Sequence, residues 1–200
     1  MTRQELINAV KTKIDELSPL DGVVTLAGLV HDKPVDTFAD ALLDECAREV
    51  LAKAPVSRLR PYPCLAPAFN TGNGVGFVPL PDDFVRLLEF KMSEWQRPVN
   101  TVCEPGSDLA LRQHNKFTRG GCCKPVCVFG HCEGARVLEY YSVERSHEIE
   151  RFLYVQDVPA EDIPVDLQDV LTWWCASRIW QIVGRQAEAQ MAYERGKNLL

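Results

Sequence analysis

The 200-residue sequence has no long hydrophobic run and no excess of positive charge. No segment reaches the roughly 20 apolar residues that a membrane-spanning helix needs. The N-terminus carries a charged residue every few positions, which is unlike a secretory signal peptide. A formal net charge of −6 disfavours tight nucleic-acid binding, because such binding depends on Lys and Arg pairing with phosphates. We therefore expect a protein that lies in the cytosol or in a soluble assembly and has no membrane partner.

Sequence motifs of common enzymes are also missing. The glycine-rich segment 71–77, TGNGVGF, precedes a strand-like stretch and contains no Gly-Lys-Ser or Gly-Lys-Thr, so a hairpin or mobile loop is favoured over a phosphate-binding loop. No nucleophile or carboxylate lies at a catalytic spacing from His31, His114, His131 or His147. We expect neither catalysis nor a cofactor. The alternative is a small enzyme that uses a reactive thiol, whose catalytic partners are brought together only by the fold.

Four of the eight cysteines lie in one short stretch, CCKPVCVFGHC at 122–132. Structural zinc usually takes its ligands from short-spaced pairs such as Cys-x-x-Cys, which this stretch lacks. On an extended chain the Cα atoms of Cys123 and Cys127 would lie roughly 13 Å apart, too far to share one ion. We therefore interpret Cys127 as an apolar side chain of a strand and predict no metal site. The alternative is a small zinc-binding interaction module that uses a subset of Cys122, Cys123, Cys127, His131 and Cys132.

Helical periodicity marks both ends of the sequence. A capping-box pattern at Thr2 and Glu5 opens the first predicted helix, which should end near Ser18-Pro19 and be followed by a connector over 19–33. One unbroken apolar stripe predicts a second helix over 35–51, closed by Ala54-Pro55. Helix returns after Pro164 and continues to the end of the sequence, with a break predicted at Gly184.

Between these helical regions the sequence has the short alternating runs, prolines and glycines that are typical of β structure. The aspartates of LPDDF (80–84) suit a turn better than a metal site. A short helix is predicted over 107–115. We expect an α+β fold in which 1–56 and 158–200 form a helical bundle and 57–157 an inserted antiparallel β lobe, all in one composite domain. The predicted strands are 76–81, 84–92, 124–130, 135–143 and 149–156.

The long C-terminal helix is apolar nearly all round, so it must be covered on two sides. Leu167, Val170, Leu171, Trp174 and Ile182 fall on one predicted face. Trp173, Ala176, Trp180 and Val183 fall largely on the other. This second face suits either a central helix within the domain or a subunit interface, where tryptophan is enriched. The interface hypothesis predicts that Trp180→Asp leaves the monomer folded but prevents assembly.

Several motifs in this order resemble the head-to-tail adaptor proteins of tailed bacteriophages, including the tail tubular A type. They are the second helix ending in LAKAP, the Leu-Pro-x-Asp-Phe turn at 80–84 that enters a strand, and an Ile-Pro at 163–164 that opens a long helix punctuated by Gly184. The resemblance covers most of the sequence, from about residue 2 to residue 200.

The resemblance implies a non-enzymatic structural protein of the virion, assembled in the cytoplasm of the bacterial host. In that family about a dozen copies form a ring through heterologous contacts. The implied partners are further copies of the chain, the portal protein and the next tail or ring protein. DNA would pass through the channel without sequence-specific binding, for which an acidic chain is suitable.

Overall fold

The computed structural model describes residues 1–17 and 35–200, and within these ranges it contains five α-helices and seven β-strands. The α+β fold class is confirmed. The predicted helix end at Ser18-Pro19, the connector over 19–33 and His31 lie outside the described residues. The helices are α1 (Arg3–Leu17), α2 (Val35–Lys53), α3 (Asp108–Gln113), α4 (Gln168–Ile182) and α5 (Gln186–Lys197). The strands are β1 (Tyr62–Pro63), β2 (Phe69–Gly72), β3 (Val75–Pro79), β4 (Phe84–Met92), β5 (Cys127–Cys132), β6 (Ala135–Tyr141) and β7 (Ile149–Gln156).

The chain divides into two compact units. The helical unit comprises Met1–Arg60 and Asp157–Leu200, and the β unit comprises Pro61–Gln156. The sequence predicts the corresponding divisions after residues 56 and 157. No helix in the described ranges has both the length and the apolar character to cross a membrane.

Helix α4 is the centre of the helical unit, where it packs against α1, α2 and α5. Between Val170 and Ile179 every residue of α4 except Arg178 is buried. Both predicted apolar faces of α4 are therefore covered by helices of the same chain, namely α1, α2 and α5. Ile182, which the periodicity assigns to a buried face, is instead exposed at the C-terminal end of α4.

Local sequence signals explain where these helices begin and end. At the start of α1 the Thr2 amide donates to the Glu5 carboxylate (2.7 Å) and the Glu5 amide donates to the Thr2 hydroxyl (3.3 Å), which is the predicted capping box. Gly184 has φ +80° and separates α4 from α5, a conformation that glycine adopts without steric cost. The two helices can then pack against each other as a hairpin.

The β unit contains two antiparallel sheets, with strand orders β1-β7-β4 and β2-β3-β6-β5. Alternating apolar residues in β4, β6 and β7 supply a shared core that includes Phe90, Leu138, Tyr140 and Phe152.

The Phe84 amide donates to the Pro81 carbonyl (3.1 Å), so the predicted turn leads directly into β4. Segment 71–77 forms the β2–β3 hairpin. Helix α3 is capped by Ser107, and its Ala110 packs on Val128 and Tyr141.

Candidate interaction surfaces

Trp173 and Trp180 are covered by their own chain. Their exposed fractions are 5% and 1%. The Trp173 ring lies between Lys13 of α1 and Arg195 of α5, with cation-to-centroid distances of 4.8 and 4.9 Å. Arg185 lies over the Trp180 ring at 5.7 Å.

These contacts correct the subunit-interface hypothesis at both tryptophans, because neither indole offers a surface to another copy. Periodicity correctly requires cover on two sides of α4, and the structure supplies that cover from α1, α2 and α5. Val183 is half-buried, and its place in an interface stays a prediction.

Other apolar side chains of the helical unit are exposed. Val165 is 78% exposed in the turn before α4, and Ile182 is 54% exposed at its other end. Met191, on α5, is exposed among charged and polar neighbours. Sequence periodicity did not mark these residues as exposed. It assigned Ile182 to a buried face of the helix, and a single apolar residue in a polar stretch, such as Met191, carries no periodic signal.

Val165 also lines a groove of about 400 Å³ together with Met1, Ala9 and Thr172. Thr172 is buried and donates its hydroxyl to the Asp169 carbonyl (2.9 Å). Polar and charged residues, including Lys13 and Asp169, complete the lining, and all the lining residues belong to the helical unit.

The β unit exposes an aromatic residue within a basic segment, 111–119. Phe117 is 84% exposed, and the Lys116 ammonium lies 4.9 Å from its ring centroid. Segment 111–119 also carries Arg112 and Arg119 and has no carboxylate. The segment therefore presents an exposed aromatic ring beside positive charges. Such a surface is complementary to a partner surface that bears carboxylates.

A second apolar patch lies on the sheet β2-β3-β6-β5. Phe69 and Phe77 are cross-strand neighbours whose rings stack with centroids 5.2 Å apart. They line a shallow cavity of about 450 Å³ with Pro79 and Val137, and Glu133 is at its rim. Phe69 is partly exposed, so the stack presents an aromatic edge to solvent.

A concavity of about 910 Å³ lies beside the loop that follows β6. Glu94 in its wall accepts hydrogen bonds from three successive backbone amides, those of Glu144 (2.8 Å), Arg145 (2.7 Å) and Ser146 (2.5 Å). These bonds lower the pKa of Glu94, because they favour the charged carboxylate. Glu94 therefore fixes the loop that forms one side of the cavity.

The cysteines of segment 122–132 do not converge. Cys127 is fully buried in the sheet, opposite Tyr140, and burial raises the pKa of its thiol. Cys132 is at the far end of the same strand, and Cys122 and Cys123 lie in the turn before it. In the described parts of the chain, no three His, Cys, Asp or Glu residues come together as a metal-binding group. Cys127 is the apolar strand residue that its neighbours predict, and no observation favours the zinc-module alternative.

Two of the described histidines have structural contacts. Nδ1 of His147 lies 2.8 Å from the Tyr140 hydroxyl. The His114 ring meets Tyr141 edge-on, with centroids 6.1 Å apart. His131 is exposed on β5. These three side chains therefore lie on different parts of the β unit.

No protein-family model matches this sequence, and no curated protein matches it.

Proposed function

We propose that the chain is a structural subunit of the ring that joins the portal to the tail in a tailed bacteriophage. The observation that carries this proposal is the chain order. Helices from both ends of the sequence form one compact unit, and the β unit is inserted between them. The resemblance to head-to-tail adaptors implies this arrangement. Two motifs behind the resemblance fall at element starts, since Pro81 opens the turn into β4 and Pro164 precedes α4.

Ring closure needs two different surfaces on each subunit, one for each neighbour. The exposed apolar residues of the helical unit are better suited to this than the buried indoles. Val165, Ile182 and Met191 can lose solvent contact when copies associate, and each buried aliphatic side chain contributes up to about 1.5–3 kcal/mol. Phe117 and the Phe69–Phe77 stack supply apolar surface on the β unit.

Charge also supports a channel-forming role. DNA must slide past an adaptor, and a formal net charge of −6 makes the subunit repel phosphate at long range. In the proposed role the subunit has no catalytic function. Its partners are further copies, the portal and the next tail or ring protein, and it acts at the head-to-tail junction of the virion.

The test is the assembly state of the full-length chain, measured by native mass spectrometry and electron microscopy, alone and mixed with purified portal protein. We expect closed rings, either from the chain alone or on the portal. A chain that keeps the mass of one copy at every concentration, and does not join the portal, would contradict the proposal.

A pair of variants tests the surface. Ile182→Asp places a charge on an exposed apolar position, whereas Gln181→Asp places the same charge on the exposed polar position beside it. Both variants should remain folded, as measured by thermal melting. We expect Ile182→Asp to weaken ring assembly at least tenfold and Gln181→Asp to change it little. If the two variants assemble equally well, Ile182 is not part of the interface, but the proposal that the chain forms a ring is not contradicted.

A further inference from the structure

Two thiols, one exposed and one half-buried, lie side by side in the turn that precedes β5. The Lys124 amide donates to the Gly121 carbonyl (2.9 Å), so Cys122 and Cys123 are the two central residues of a tight turn. Their Sγ atoms are 3.9 Å apart. Cys123 is exposed and Cys122 is half-buried at the edge of the 910 Å³ cavity.

The backbone of this turn is held on both sides. The Gln96 amide donates to the Cys122 carbonyl (3.0 Å), and the Ser142 hydroxyl donates to the Gly120 carbonyl. The Gly120 amide in turn donates to the side chain of Gln113 (3.1 Å), which is buried. The two thiols are therefore positioned by the fold before any ligand arrives.

The sulfur separation suits a bridge through one atom better than a direct bond. An atom bonded to two sulfurs at about 2.3 Å, with a bond angle between roughly 100° and tetrahedral, holds them about 3.5–3.8 Å apart. A disulfide would require about 2.05 Å between the sulfurs and a Cα separation of roughly 4.4–6.8 Å. Adjacent Cα atoms are only about 3.8 Å apart, so a disulfide between Cys122 and Cys123 would strain the turn.

The geometry points to Cys122 and Cys123 as a dithiol site for a trivalent thiophilic centre, of the class of monosubstituted arsenicals. Such a centre carries one carbon substituent and two exchangeable oxygen ligands, so two thiols complete its coordination. Zinc would need four ligands, and the described residues supply no third partner at this turn. This inference does not depend on the proposed ring.

The binding step exchanges oxygen for sulfur and involves no oxidation. In an arsenical R–As(OH)₂ both arsenic–oxygen bonds and both thiol S–H bonds break. Two arsenic–sulfur bonds form, and the hydroxyl groups leave with the thiol protons as two water molecules. Arsenic remains trivalent and no further reactant is required.

The other thiols are less suited to such a bridge. Cys46 and Cys175 lie in the helical core with exposed fractions of 1% and 0%, so a reagent reaches them only if the helical unit opens. Cys127 is fully buried, which leaves its neighbour Cys103 without an accessible second thiol. Cys132 and Cys64 are partly exposed, but Cys132 lies at the opposite end of β5 from the turn and Cys64 directly follows β1.

The experiment uses phenylarsine oxide and the full-length, fully reduced chain, with intact mass spectrometry as the readout. We expect one phenylarsenic group per chain, released by ethanedithiol but not by an equal concentration of a monothiol. Cys122→Ser and Cys123→Ser should each weaken binding by at least about 100-fold, because a single thiol loses the advantage of intramolecular chelation. Cys132→Ser is the matched control and should bind as the wild type does.

Thermal melting of each variant shows whether the exposed turn tolerates serine, so that a loss of binding is not confused with unfolding. Unchanged binding by Cys122→Ser or Cys123→Ser would overturn the assignment. Peptide mapping of the label to Cys46 and Cys175, or equal loss of binding in Cys132→Ser, would overturn it as well.

Discussion

At Gly196, α5 comes so close to α4 that a methyl group has no room. A Cβ at this position would lie 2.5 Å from Cδ1 and 2.6 Å from Nε1 of Trp174, whose side chain is buried. Alanine normally stabilises a helix by about 1 kcal/mol relative to glycine. Overpacking costs about 1–3 kcal/mol, and here it should exceed the gain in helix propensity.

Gly196→Ala should therefore lower the free energy of unfolding by up to about 2 kcal/mol, measured by chemical denaturation. The matched control is Gly121→Ala, because nothing lies within 4 Å of a Cβ built there. That variant should be nearly neutral. A stabilised Gly196→Ala would mean that α4 and α5 are further apart than the structure has them.

Trp180 gives the second residue-scale prediction, which replaces the expectation that Trp180→Asp leaves the monomer folded. The indole is almost wholly buried, so aspartate would leave a cavity and bury a carboxylate. The Arg185 guanidinium lies over the ring, 5.7 Å from its centroid. Loss of the indole alone costs about 3–5 kcal/mol, and the buried charge adds to this.

We expect Trp180→Asp to unfold the helical unit, measured by the loss of α-helical circular dichroism. Trp180→Phe, which keeps an aromatic ring, should remain folded with a lower melting temperature. A folded Trp180→Asp variant with an unchanged melting temperature would show that the indole is not part of the core.

At the scale of elements, the loop between β6 and β7 depends on one carboxylate. Glu94 accepts three amide hydrogen bonds from residues 144–146, and these lower its pKa in the folded state. An acid whose pKa is lowered by folding stabilises the fold above its unfolded pKa and loses that effect as pH falls. We expect this contribution to disappear as pH drops below about 4.5.

Glu94→Gln should therefore be less stable than the wild type at neutral pH, and the difference should shrink in acid. The measurement is the urea midpoint as a function of pH. The exposed Glu148→Gln variant, in the same loop, is the control and should follow the wild-type curve. A constant difference between Glu94→Gln and wild type at every pH would contradict the proposed role of the charge.

Elements with a regular pattern could be predicted from the sequence, and irregular ones could not. Strands β4 and β7 begin and end at the predicted residues 84–92 and 149–156, because each is a short run rich in β-branched, aromatic and other apolar residues. Strands β1 and β2 lie among prolines and glycines, and their residues are exposed, so no alternating signal marks them. β5 begins at Cys127 instead of residue 124, since Pro125 cannot donate a ladder hydrogen bond.

The candidate surfaces were harder to predict, for a related reason. Periodicity indicates that an apolar face needs cover but does not say which chain supplies it. Trp173 and Trp180, which the pattern allowed in a subunit interface, are core residues. Ile182, which the pattern assigned to the core, is exposed. The Cys122–Cys123 pair is adjacent in sequence, yet its sulfur separation and anchoring depend on Gln96, Gln113 and Ser142, which are distant along the chain.

At the scale of the whole molecule, the two units should respond differently to alkali. Burial raises the pKa of Tyr140 and of Tyr154 to about 12 and raises that of Tyr141, all three in the β unit. Above pH about 10 the unfolded chain loses these protons and the folded chain keeps them, so stability falls as pH rises. Each tyrosine should contribute a loss of the order of 2 kcal/mol by pH 12.

We expect the β unit to unfold between about pH 10 and 12, measured by ultraviolet absorbance of tyrosinate together with far-ultraviolet circular dichroism. Tyr140→Phe should move the transition to higher pH, because phenylalanine cannot ionise. Ionisation of Tyr140, Tyr141 and Tyr154 near pH 10 without loss of β structure would contradict the burial of these side chains.

The division of the helical unit between the two ends of the chain has a consequence for biosynthesis. Helices α1 and α2 are translated before residues 61–156, but their shared partner α4 is translated only after them. The β unit is contiguous, so it can fold while translation continues. The first two helices can pack only against each other until α4 is made, and the apolar surface that α4 covers stays exposed, which makes a prematurely terminated product prone to aggregate.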